Sequence, residues 1–156
     1  MASIKGRWRS ERGAELIEFA LIAPILIFII AGIVDFGMMF RTFEAVTNAA
    51  REGARVGVLP GYNPLDVQTR VNAYLAASGL TAVPLVGPPA CPRPGVCVQN
   101  LPVATNAGVF TARAVTVNYT YQFAVLGAAA PLFGGNFGSI NLNAVSVMRT
   151  ETAAAP

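Results

Sequence analysis

Residues 14–40 read AELIEFALIAPILIFIIAGIVDFGMMF. From Phe19 to Val34 no residue is charged, and past Asp35 the apolar run resumes as far as Phe40. A helix needs roughly 20 apolar residues to cross a hydrocarbon core. Phe19–Phe40 supplies that length with one carboxylate inside it. Pro24 removes one helical hydrogen bond and can kink the helix, although membrane spans tolerate proline. Two other readings compete. A core helix of a soluble protein rarely carries so long an uncharged run of large apolar side chains. A secretory signal peptide has a shorter apolar region and a small-x-small cleavage site, which Ala31-Gly32 matches weakly. The stretch reads best as a transmembrane helix.

Outward toward the start, the head is basic. Lys5, Arg7, Arg9 and Arg12 face only Glu11, whereas residues 14–156 hold seven Arg against seven acids. The whole net charge of +3 therefore lies before the apolar run. Basic charge on one flank keeps that flank in the cytoplasm and sends the rest across. Nucleic acid is not an expected partner, because the remaining Arg are scattered and no basic patch is interleaved with aromatics. Charged residues make up 12% of the chain against 54% apolar, less than half the charge of an average soluble domain. Such a surface suits lipid or other subunits better than water.

Beyond the run, Phe43, Val46, Ala50, Gly53 and Gly57 recur at steps of three and four. They form a narrow helical face of mostly small residues. Nothing breaks the helix before Pro60-Gly61, so one continuous helix is expected from about Ala14 to about Leu59. Its second half must stand outside the bilayer. The narrow face can pack on a partner helix, since small residues permit close approach, or on the chain's own sheet. A shorter helix follows from Pro64, with Gly79 as its stop. Residues 81–108 hold six Pro and are expected to be irregular, with one short strand around Val96–Val98. Residues 109–125 then alternate, with Val115, Val117, Tyr119, Tyr121 and Phe123 on one side. From Ser139 alternation returns, with Ile140, Leu142, Ala144, Ser146 and Met148 together. Two such strands around a loop at Gly127–Gly138 predict an antiparallel hairpin. The fold class is thus α+β, a long N-terminal helix leading into a small domain with a second helix and an antiparallel sheet.

The junction at residues 9–28, RSERGAELIEFALIAPILIF, carries the most specific signal. Gly13 ends the basic head, and Glu18 stands five residues later at the rim of the run. This resembles the processing site of type IV prepilins. The resemblance implies cleavage between Gly13 and Ala14 by a prepilin peptidase at the cytoplasmic face. A Gly before the scissile bond lets the backbone extend into a cleft without side-chain conflict. A carboxylate at the edge of an apolar span is costly unless paired. The resemblance implies that Glu18 meets the free amine of a neighbouring subunit. Read without it, Glu18 marks the membrane border.

The likeness extends further. EFAL-x-x-P, the DFG after the span and NAAREGAR at residues 48–55 are similar to the N-terminal region of TadE-like proteins, minor pilins or pseudopilins of tight-adherence pilus systems. The similarity is best over roughly residues 12–58. It implies a single-pass protein of the bacterial inner membrane, whose partners are the membrane, other pilin subunits, the prepilin peptidase and the assembly platform, with incorporation into the surface pilus as a further step. On this reading residues 1–13 are a cytoplasmic leader, 14–40 the transmembrane helix and 41–156 an extracytoplasmic pilin-like domain. The alternative is a membrane-anchored periplasmic binding or adhesion domain outside any fibre.

Asp35 follows Glu18 by 17 residues, about 26 Å along a helix. It marks the outer border or makes a polar contact with a partner subunit. Cys91 and Cys97 are expected to form a disulfide outside the cytoplasm. The spacing is not C-x-x-C, and two Cys without His make a poor metal site. No enzyme is expected. The chain has no His, and beyond residue 60 only Asp66 and Glu151 carry carboxylates. Neither cofactor, metal nor small-molecule substrate is expected.

Overall fold

A computed structural model describes residues 7–150 except 89–90, 92, 106–107, 130, 132–133 and 136–137. Helix α1 spans Arg7–Gly57, 51 residues with Pro24 inside it. At 1.5 Å per residue it is about 75 Å long. The chain is already helical at Arg7, before the expected Ala14, and the helix runs unbroken from there through Gly13. Apolar periodicity cannot reveal helix in a stretch made of Arg, Trp, Ser and Glu. A turn at residues 58–61 ends it, with Gly61 at φ 75°, a conformation that favours glycine.

Helix α2, Pro64–Ala77, opens on a capping box. The Asn63 side chain accepts from the Leu65 N–H, and Asp66 accepts from the Asn63 N–H. Such reciprocal bonds satisfy amides that a helix start otherwise leaves unpaired. Gly79, at φ 77°, follows its end. Three strands then form one antiparallel sheet in the order β1-β2-β3, with β1 Gly95–Thr105, β2 Gly108–Gln122 and β3 Ser139–Arg149. The central strand pairs Val96 with Val117 on one side and Val117 with Ala144 on the other. Strand β1 is far longer than the short piece expected near Val96. Between β2 and β3 a five-residue helix α3, Val125–Ala129, stands where a plain loop was expected.

One face of the sheet is covered by helix. Val46, Ala49, Ala50 and Ala54 of α1, Val67, Val71 and Leu75 of α2, and Val96, Val115, Val117 and Ala144 of the sheet form a single buried core. Gly53 is the closest point. A Cβ there would stand 2.6 Å from a Val71 methyl and 3.3 Å from methyls of Val67 and Val115. Three elements converge on a residue with no side chain, which is why this helix face is made of small residues. Burial of valines that leave little void is the main favourable term in a core of this kind. The first half of α1 lies outside this core.

Candidate functional site

The N-terminal half of α1 presents apolar side chains to its surroundings on all sides. Leu16, Ile17, Phe19, Leu21, Ile25, Ile27, Ile30 and Ile33 are all exposed. The helix is long and apolar enough to cross a membrane. Leaving this surface in water would be costly, at about 25 cal/mol per Å² of apolar area. Gly13 and Ala14 lie within the helix, Gly13 with open space where a Cβ would be and Ala14 exposed. Glu18 is exposed at the edge of the apolar surface and, among the described residues, has no hydrogen bond or ion pair.

The face formed by residues 43–57 turns onto its own sheet. Val46, Ala50, Gly53 and Gly57 are buried there. Phe43 is 41% exposed and stands outside the core. Its helical phase lies between those of the buried Ala50 and Ala54, but it stands about two turns or more before them, and the buried cluster on this helix begins only at Val46. Gly57 makes room for Arg113 of β2, whose Cδ lies 3.2 Å from where a Gly57 Cβ would be. The Arg113 guanidinium is 3.5 Å from the Tyr62 ring centroid, a cation–π distance. It sits near the C-terminal end of α1, where a cation is favoured by the helix dipole. Burial pushes the Arg113 pKa down from its ordinary value. On the exposed side, Glu52 bonds Arg70 of α2 at 2.9 Å and Arg55 at 3.3 Å. The hydrogen bond from Arg70 is the largest cause of a lowered Glu52 pKa.

Asp35 is the residue whose role sequence reading left open. It is fully buried. Its carboxylate accepts from the N–H groups of Ala124 at 3.3 Å, Val125 at 2.9 Å and Leu126 at 2.7 Å. It thus caps α3 from a distant part of the chain, doing what a local N-cap side chain ordinarily does. The Tyr121 hydroxyl donates to the Asp35 carbonyl at 3.3 Å, and Phe36 meets Phe123 edge-on at 5.7 Å. The contact is therefore within the chain. The signal in the sequence was the cost of a carboxylate in an apolar run, which demands donors; which donors, only the fold reveals.

Cys91 and Cys97 are joined in a disulfide. Closing so short a loop is worth about 2 kcal/mol in the chain-entropy picture. The Cys91 carbonyl accepts from Asn118, and Asn118 accepts in turn from Asn143. This short polar chain ties the Pro-rich segment to the face of the sheet opposite the helices.

A family model described as TadE-like protein matches residues 13–55. The matched segment runs from the glycine of the junction, through the apolar run and Asp35, to the end of the NAAREGAR stretch. No curated protein and no solved structure matches the chain.

Proposed function

We propose, from a chain whose residues 13–55 carry a TadE-like domain, that this protein is a non-catalytic structural or assembly subunit of a Tad-type pilus. Residues 14–40 anchor it in the membrane, the basic head stays cytoplasmic, and residues 41–156 stand outside. A prepilin peptidase removes residues 1–13, and the new amine of Ala14 and the carboxylate of Glu18 join neighbouring pilin subunits. The observation that carries this reading is the combination of an exposed apolar helix surface with the Glu18 carboxylate at its N-terminal rim, unpaired among the described residues. Both call for an environment that the described residues do not provide. Lipid and the flanking helices of other subunits offer it, since apolar side chains pass without cost from one to the other. Cleavage requires the backbone at Gly13 to leave the helix, and glycine lowers the cost of that by about 1 kcal/mol relative to Ala.

The test is N-terminal sequencing of the chain recovered from cells, together with Glu18→Ala. The proposal expects a start at Ala14 in both proteins and loss of pilus assembly only in the variant. A retained Met1 leaves a simple anchor, a start beyond Ala31 indicates ordinary secretion, and normal piliation of Glu18→Ala removes the role given to the carboxylate.

A further inference from the structure

The bond between Asp35 and α3 fixes the height of the β2–β3 connection along α1, and that height is unexpected. Asp35 looks in sequence like the end of the apolar run. In three dimensions its carboxylate is turned under α3 and is fully buried. The apolar surface of α1 continues past it. Phe36 is 48% exposed and Phe40 is 61% exposed, and the next charge is Arg41. Arg41 is followed by Glu44, so the change to a charged surface begins there. From Asp35 to Arg41 is six residues, about 9 Å of helix. The start of α3 therefore lies about 9 Å below the point where α1 acquires charge.

The connection has the composition that such a place requires. No Asp, Glu, Lys or Arg occurs between Arg113 and Arg149. Val125 of α3 is 44% exposed, and Phe123 packs on Phe36, itself part of the apolar helix surface. Backbone outside regular structure is tolerated at membrane depth only when its polar groups are satisfied. Here the N–H groups of Ala124, Val125 and Leu126 are taken up by Asp35. A buried carboxylate and three otherwise unpaired amides cancel each other's cost at one point.

We propose that Phe123–Ala129, clipped to α1 by Asp35, is a second membrane contact that lies in the interfacial layer of the leaflet on the domain's side. Its depth matches the 5–10 Å at which interfacial apolar segments settle. Its occupant is lipid, because the surface is continuous with the lipid-facing surface of α1. The inference rests on α1 being the membrane anchor. It adds that the domain is seated on the bilayer in a fixed orientation rather than held above it on a bare stalk.

The experiment uses the full chain in phosphatidylcholine–phosphatidylglycerol vesicles and depth-dependent quenching by brominated lipids. Trp8 is the only tryptophan, so Trp8→Phe gives a blank background for single reporters. Val125→Trp tests the contact, Ile27→Trp reports the anchor, and Leu59→Trp, beyond the end of α1, reports the aqueous side. The expected result is a blue-shifted Val125→Trp emission quenched most by bromines near the head of the acyl chains. Ile27→Trp should be quenched most by bromines near the chain ends, and Leu59→Trp by neither. Quenching of Ile27→Trp without quenching of Val125→Trp overturns the second contact and leaves the anchor standing. A blue-shifted Val125→Trp that no brominated lipid quenches assigns the patch to protein rather than lipid and also overturns it. Failure of Ile27→Trp to quench removes the anchor and the contact together.

Discussion

Asp35 shows how one residue can join two distant parts of a chain. A carboxylate bound by three backbone amides is among the stronger hydrogen-bonding arrangements, since bonds to charged groups are each worth about 1.5–3 kcal/mol net. Asp35→Ala should release α3 while leaving the rest of the domain folded. Exchange of the Ala124, Val125 and Leu126 amides should then speed up by roughly tenfold or more, with Asp35→Asn, which keeps one acceptor oxygen, in between. Unchanged exchange in Asp35→Ala would show that the contact with Phe36 alone holds the segment. Glu52 allows a pH test. Its pKa is lowered from 4.5 by Arg70 first and Arg55 second. A lowered carboxylate contributes stability above its ordinary pKa and loses it as pH falls through the folded value. Glu52→Gln should therefore melt slightly below the parent at neutral pH, and the gap should close toward pH 3. Because Glu52 and both partners are solvent-accessible, the gap is expected to be small. A gap that persists in acid would mean that packing, not charge, is lost.

At the scale of elements, the sequence exposes what is periodic and hides what is not. The apolar run, the small-residue face and the alternation from Val115 onward each repeat with the spacing of their element, and α1, β2 and β3 follow. Strand β1 was hidden because Gly95, Gln99, Asn100 and Pro102 interrupt it; it forms because it pairs along its whole length with β2. Helix α3 was hidden because its cap is 90 residues away in sequence. Spacing alone places Phe43 on the packing face, yet the sheet is covered by Val46 and the small residues after it. The choice of small residues is itself testable. Gly53→Ala gains about 1 kcal/mol of helix propensity but forces a methyl against Val71, and overpacking a dense core costs about 1–3 kcal/mol. Because the 2.6 Å approach is to a stiff β-branched side chain, the second effect should win. Chemical denaturation of the detergent-solubilised chain should give a net loss of up to about 2 kcal/mol, whereas Gly32→Ala, which meets nothing within 4 Å, should cause none. A stabilised Gly53→Ala would mean that α1 and α2 are less tightly seated than these distances indicate.

For the whole molecule, one helix belongs to two environments. Its second half joins the core of an α+β domain, and its first half exposes large apolar side chains. Charge divides the chain the same way, with the entire excess in the head and balance thereafter. The division was legible in the sequence because membrane solvation acts on composition, which needs no knowledge of the fold. How the domain is held against the anchor was not, because it depends on contacts between residues 35 and 126 that no local pattern encodes. The most direct measurement is the behaviour of the full-length chain in isolated membranes washed with alkaline carbonate. The account predicts that it stays in the pellet and is released only by detergent. Recovery of intact chain, with its basic head uncut, in the aqueous wash would contradict it.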